Sequence, residues 1–486
     1  MQFLLMLIVC LAFLPYTPAA PFVSPLVTTL LTWLGVGVIG ASACLFSWYF
    51  SWQIRHRPVR RLWVIKWFGW ARFAHTALIV ALYVATLFVL GWGYVVRVTL
   101  GLEDAILLDE LLILAPFLVA QSLEWLGFYS TEKALAETSV YPPTQPFWGR
   151  LAYLWYHLRF CLGLVLAPIL IFTGIHETLI YFMPWASDEA WFLLASVGIL
   201  SFVILILAPW LLKFLWQARS LPAGPLRDRL EAAARRLGFR YTDILLWNTR
   251  GGVANAMVTG VFRFPRYVLL SDGLIQGLKP DEIEAVFGHE IGHVKHHHMA
   301  LYLCFMVLSL FLISLAAQAV LPPLPENDAD YLAFLGDWSQ SSDVWTASLA
   351  GTALLGCYVW LVFGFLSRRC ERQADVYGCK AVSCGQPDCQ EHDAETPMES
   401  GRSQRLCRTG IQTFIRALER VAELNGIRRD KPSWRHSSIA RRVAFLEQLL
   451  LEPSMEPRFQ RRLFMAKLGL VTFLCAGVGL LTFLVN

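Results

Sequence analysis

Residues Ala285–Met299 read AVFGHEIGHVKHHHM, and His289–His293, HEIGH, has the pattern H-E-x-x-H. The preceding KPDEIEAVF carries the marks of a helix start: Pro280 suits a first-turn position, and Asp281, Glu282 and Glu284 suit the positive end of the helix dipole. On a helix, His289 and His293 stand one turn apart and point the same way. Two imidazoles so placed can hold one zinc ion. Glu290 then lies beside the metal, where it can take a proton from an attacking water. His296, His297 and His298 read instead as a solvated, histidine-rich face. His297 is eight residues beyond His289, roughly 12 Å along the axis at about 1.5 Å per residue. It cannot close the same site, so a third donor must come from elsewhere in the chain.

The chain around this helix is apolar. Of 486 residues, 56% are hydrophobic and 16% charged, with 19 Trp and 32 Phe. That composition excludes a soluble globular enzyme and indicates a mainly α, polytopic membrane protein. The net charge of +5 is small and gives no reason to expect a nucleic-acid partner; it matters through where the basic residues sit. A short apolar run at 2–13, extended weakly to 22, reads equally as a cleaved signal peptide or a retained helix. Spans are expected near 26–52, 72–96, 105–127, 159–183, 190–216, 299–321, 344–366 and 465–485. Each is long enough to cross about 30 Å of hydrocarbon.

Basic residues assign the sides. Residues 54–66 hold Arg55, Arg57, Arg60, Arg61 and Lys66, the signature of a cytoplasmic loop. Alternation puts 97–104, 184–189 and 322–343 outside; the last holds five acids and no Lys or Arg. Segments 128–158, 217–298 and 367–464 fall inside, and the HEIGH helix with them. The expected organisation is an N-terminal membrane domain, 1–216, with five or six spans; a first catalytic part, 217–298; a transmembrane hairpin, 299–366; a second catalytic part, 367–464; and a last span, 465–485.

Residues 217–298 read as a small α+β domain: LPAGP breaks the preceding helix, Leu226–Leu237 is an amphipathic helix, and Asp243–Trp247 and Tyr267–Leu270 are strands. Between the strands, GGVANAMVTG (251–260) reads as an edge strand that could hold an extended substrate by main-chain pairing. The HEIGH helix runs into the span at 299–321, and the returning span must end on the same face. It emerges as SRRCERQADVYG (367–378), where Glu371 and Asp375 are one helical turn apart. Glu371 is placed to be the third zinc ligand, and Asp375 to orient a ligand histidine.

HEIGH, two spans and then ERQAD resembles the membrane-embedded gluzincin peptidases, the type I CAAX prenyl protease family and the HtpX-like bacterial proteases. SDGLIQGLKPDEIEAVFGHEIGHV resembles that family's approach to its zinc helix, and Asn255 and Ala256 resemble the Asn-Ala of its substrate-binding edge strand. His436 with Arg442, in HSSIARRVAFL, resembles its late His-Pro segment with an Arg six residues on, although Ser437 stands where the family usually has Pro. The resemblance covers roughly residues 220–450. It implies a zinc endopeptidase with a zincin-like catalytic domain; the basic loops put that domain on the cytoplasmic side, in a membrane expected to be of bacterial inner-membrane type. It also implies one zinc per chain on His289, His293 and Glu371, with Glu290 as general base. His436 and Arg442 would bind substrate or stabilise the oxyanion. The implied partners are a peptide or protein substrate and the lipid bilayer; nothing in the sequence sets an oligomeric state.

Of eleven cysteines, those in spans behave as small hydrophobes. Cys379, Cys384 and Cys389 with His392 could hold a second metal, but their spacing is not the CxxC of a zinc knuckle. Residues 384–409 are polar and aperiodic and read as a mobile or disordered insertion. Two other classes remain: a non-proteolytic zinc-containing scaffold, against which Glu290 argues because zinc binding alone does not need it, and a transporter, against which the few charges in the spans argue.

Overall fold

The computed structural model describes residues 21–485 apart from 104, 139–145, 188–189, 321–356, 385–388, 390–391 and 393–405. The segment before residue 21, the acidic loop 322–343, most of the span 344–366 and most of the insertion 384–409 therefore lie outside the described residues. The chain is mainly α, and six described helices are long and apolar enough to cross a bilayer: Pro25–His56, Arg61–Phe88, Leu108–Glu137, Leu164–Phe182, Gly198–Leu215 and Met455–Leu480. A shorter apolar stretch, His298–Ser309, begins a further helix that runs to Val320. It is a multi-pass membrane protein.

Two expected boundaries move. The basic loop 54–66 shrinks to a single turn at Pro58–Arg60, and the next helix starts at Arg61 rather than near 72. Proline is tolerated in a first turn, so Pro58 starts a helix here, and long basic side chains can ride on one while their charges reach polar groups. Arg61 does this: its Nη2 donates to Leu135 O at 3.2 Å and its Nε to Thr138 Oγ1 at 3.3 Å, covering carbonyls at the end of the Leu108–Glu137 helix. The last span likewise begins at Met455, ten residues before the apolar run at 465.

Two compact units divide the chain, residues 1–219 with 247–252 and residues 220–246 with 253–486. In the first, Pro25–His56 lies along Leu108–Glu137. The approach is close at Gly127, where an added Cβ would sit 2.7 Å from Ala43 Cβ. Ser47 and Thr131 exchange hydrogen bonds across this contact. Two acids of this unit are paired: Asp109 lies 2.8 Å from Arg97, and Glu132 binds both Arg72 and the Tyr153 hydroxyl at 2.6 Å.

A four-stranded sheet of β1 (Arg219–Ser220), β2 (Asp243–Trp247), β3 (Ala256–Thr259) and β4 (Tyr267–Ser271), in the order β1-β2-β4-β3, belongs to the second unit except for its terminal residues Arg219 and Trp247. β3 is antiparallel to β4, with Ala256 opposite Leu270 and Thr259 opposite Tyr267, and it forms the edge as its Gly-flanked sequence predicts. The HEIGH helix, Pro280–Lys295, packs on this sheet through Ile283, Phe287 and Ile291, which join Ile244, Val268 and Leu270 in one core. Its first turn is capped by the Glu282 carboxylate, which accepts the Lys279 N–H at 3.0 Å. Glu284 is buried between Arg229 and Arg236 at 2.5 Å each.

Candidate metal centre

The ERQAD helix, Gly364–Ala381, lies against the HEIGH helix along a seam of small residues. An added Cβ would sit 2.3 Å from Ala381 Cβ at Gly288 and 2.9 Å from Tyr377 Cβ at Gly292. Gly288 and Gly292 are one turn apart, as are the neighbouring His289 and His293, so close approach of the backbones brings the histidines onto Glu371. His289 Nε2 and His293 Nε2 are 3.3 Å apart, and each lies 3.7 Å from a Glu371 carboxylate oxygen. Tetrahedral zinc with bonds of about 2.0–2.1 Å has ligand–ligand edges of about 3.4 Å. The three converging donors therefore fit a zinc ion in both element type and spacing.

Each ligand is held from behind. Asp375 Oδ1 lies 3.0 Å from His289 Nδ1, and Arg442 clamps Asp375 with Nε and Nη2 at 2.9 and 2.5 Å. Arg442 Nη1 is also 3.9 Å from Glu371. The Arg442 side chain is thus buried behind the ligands, on Asp375. Burial pushes the Asp375 carboxyl up, but Arg442 and His289 more than offset this and hold it below its ordinary value. Burial also disfavours the His289 cation, yet Asp375, Glu371 and Glu290 keep its pKa above the usual imidazole range. Burial would raise Glu371 as well; His436, Arg442 and His289 hold it well below the carboxylate range.

His293 is supported by a residue the sequence reading put in solvent. The HEIGH helix ends at Lys295, and His297 takes a left-handed φ of 55°. The chain turns there, and His298 is buried, with its Nδ1 2.9 Å from His293 Nδ1 and its Nε2 2.9 Å from Gln373 Oε1. Lys467 Nζ donates to the same Gln373 oxygen at 2.7 Å. Burial, and then the neighbouring His289, push His293 down to about 3, leaving it a neutral imidazole. Only His297 of the HHH run is fully exposed. The signal that could have found His298 was its position at the start of an apolar helix.

Glu290 is partly buried, and its carboxylate accepts the Val258 N–H of the edge strand. Burial pushes its pKa up to about 7, against the His289 charge and that N–H. Just before β3, Asn255 exchanges hydrogen bonds with Ser271, its N–H to the hydroxyl at 2.9 Å and its carbonyl from the N–H at 3.0 Å. Ala256 starts β3 itself.

His436 is half exposed and places Nδ1 2.9 Å from Glu371 Oε1. Its loop is tied to the ERQAD helix by Arg368, which donates to Trp434 O at 2.8 Å. Ser437 has φ 68°, and its N–H donates to Ser433 O at 3.1 Å. Proline could adopt neither that φ nor that bond, so this loop turns in a way that the family's usual Pro at this position could not. Beside His293 opens a cleft of ≈ 570 Å³ lined in part by Arg240, Arg263, Arg266 and Lys295.

Part of this chain resembles known membrane proteases. Residues 220–394 match Peptidase family M48. Protease HtpX of Pseudomonas putida (strain GB-1) is 28% identical over 187 residues, 37% of this chain and 61% of that protein. CAAX prenyl protease 1 of Saccharomyces cerevisiae is 24% identical over 259 residues, 49% of this chain and 51% of that protein. The chain thus matches about three-fifths of HtpX's length and half of the yeast protein's. The crystal structure of S. mikatae Ste24p superposes with a TM-score of 0.52 at 17% identity, covering 89% of this chain and 100% of that one. Residues 220–394 are thus similar to peptidase family M48, and they are carried by a multi-pass membrane chain whose fold is like that of Ste24p.

Proposed function

We propose that this protein is an integral-membrane zinc endopeptidase that hydrolyses peptide bonds of membrane-associated or cytoplasmic-side substrates. The observation that carries the reading is the convergence of His289, His293 and Glu371 at 3.3–3.7 Å with Glu290 beside them. Zinc on those three residues would supply Lewis acidity toward a scissile carbonyl and toward water. Glu290, tuned toward neutrality, takes the proton of the attacking water and returns it to the leaving amine. The β3 edge, whose Val258 N–H already meets Glu290, offers main-chain pairing to an extended substrate. Asn255 and Ala256 shape the entry to that edge. His436, on the exposed side of Glu371, donates to the developing oxyanion. Arg442 acts through Asp375 and so positions His289. The distribution of Lys and Arg supports a site on the cytoplasmic side of a bacterial inner membrane. Glu290 and the open strand edge favour hydrolysis over a zinc-holding scaffold. The spans hold few charges, and two of their acids, Asp109 and Glu132, are neutralised by Arg97 and Arg72, which argues against a transporter's proton relay.

The test is metal content and casein cleavage by the purified full chain. Glu290→Gln should keep zinc and lose about 10²–10⁴-fold in rate. His436→Ala should keep zinc and substrate affinity and lose roughly 10²-fold or more in turnover. Undiminished cleavage by Glu290→Gln would end the base assignment.

A further inference from the structure

Cys384, Cys389, His392 and Cys407 converge so that one ligand atom from each lies within 4.8 Å of the other three. His392 Nδ1 is 3.3 Å from Cys389 Sγ and 3.8 Å from Cys407 Sγ. A tetrahedral zinc with bonds of about 2.3 Å to sulfur and about 2.0 Å to nitrogen has S···N edges of about 3.6 Å and S···S edges of about 3.8 Å. The hydrogen bonds among the three thiols and the imidazole are weak, since thiols are weak donors and acceptors, and give little reason by themselves to gather four such groups. None of the three cysteines is joined in a disulfide. Cys384 and Cys407 are buried, and Cys389 and His392 partly so.

The surroundings hold the group in place. Ser383 Oγ accepts the Cys407 N–H at 3.2 Å and donates to Cys379 O at 2.8 Å, tying Cys407 to the end of the ERQAD helix. Thr409 Oγ1 accepts the His392 N–H at 3.3 Å. Gly410 N–H donates to Cys407 Sγ at 3.4 Å, the kind of contact that supports a ligating thiolate. An added Cβ at Gly410 would sit 2.2 Å from Ser383 Oγ, so this corner is closely packed.

We propose that Cys384, Cys389, His392 and Cys407 form a second, structural zinc site that closes the insertion between the ERQAD helix and the helix Arg408–Leu424. A closed set of three sulfurs and one nitrogen suits tetrahedral zinc and leaves no open position for catalysis. Loading converts three thiols to thiolates and releases three protons, leaving a centre of net charge −1. The site shares no residue with the HEIGH centre. Cys384 follows the helix that carries Glu371 and Asp375, and Cys407 is the N-cap of a helix whose Phe414 stacks on the His289 ring at 5.7 Å. The second metal therefore staples together two helices that support the first.

Zinc per chain in the purified full-length protein is the test. Wild type should hold two equivalents, and His289→Ala/His293→Ala should hold one, released by a thiol-specific mercurial. Cys389→Ser/Cys407→Ser should also hold one, with a lower Tm. The histidine variant keeps the proposal testable if the cysteine variant does not fold. A metal-free His289→Ala/His293→Ala protein would overturn the proposal. So would an undiminished metal content in the cysteine variant, or a disulfide between these cysteines in protein isolated under non-reducing conditions.

Discussion

Lys467 decides which nitrogen of His293 carries the proton and which is left free to take a metal. An ammonium can only donate, so the Gln373 atom it contacts at 2.7 Å is an acceptor. That atom must then receive a proton from His298 Nε2, which leaves His298 Nδ1 as an acceptor. His293 Nδ1 therefore donates to it, and the lone pair stays on His293 Nε2, the atom facing His289 and Glu371. His298 performs for His293 the orienting task that Asp375 performs for His289, without adding a negative charge. Replacing His298 by Ala should weaken zinc binding about 10–100-fold in a chelator competition. Gln, which can still accept from His293, should recover part of the loss. Unchanged chelator resistance in His298→Ala would reduce the residue to a packing role.

The two helices of the centre meet through Gly288 and Gly292. On an exposed helix, Gly→Ala stabilises by about 1 kcal/mol. At Gly288 the new methyl would lie 2.3 Å from the Ala381 Cβ, and neither atom can rotate away. The helices must separate, at a cost of about 1–3 kcal/mol, so overpacking outweighs propensity. Gly288→Ala should therefore lower Tm and zinc content together, because separation draws Glu371 away from the histidines. Gly469→Ala, where an added Cβ meets nothing within 4 Å, is the control and should keep full zinc with an equal or slightly higher Tm. A Gly288→Ala protein with full zinc and undiminished Tm would show that this seam does not set the ligand geometry.

Across the whole chain, topology follows from where Lys and Arg fall. Reporter fusions at residue 58, in the turn between the first two long helices, and after residue 230 should both report cytoplasm, and one after residue 333 should report the opposite side. The turn at Pro58–Arg60 replaces the wider basic loop as the place for the first fusion. A cytoplasmic signal at 333 would remove the sidedness argument that joins Glu371 to the HEIGH helix, and the 3.7 Å geometry would then need another connection.

The sequence alone determined the local elements and their chemistry. HEIGH on a capped helix, ERQAD on a helix, DILLW and YVLL as strands and a Gly-flanked edge strand are all patterns of period and punctuation, and the described residues carry them within a few positions. Tertiary structure decided what distance and backbone handedness decide. The left-handed turn at His297 sent His298 inward, where the histidine run reads as a solvated face. The buried Arg442 clamp faced Asp375. Ser437 took a φ closed to proline. Cys407, rather than Cys379, joined Cys384, Cys389 and His392 from the far end of an aperiodic insertion. These outcomes depend on contacts between residues up to 75 positions apart, and a local pattern cannot encode a long-range contact until packing has chosen the partners.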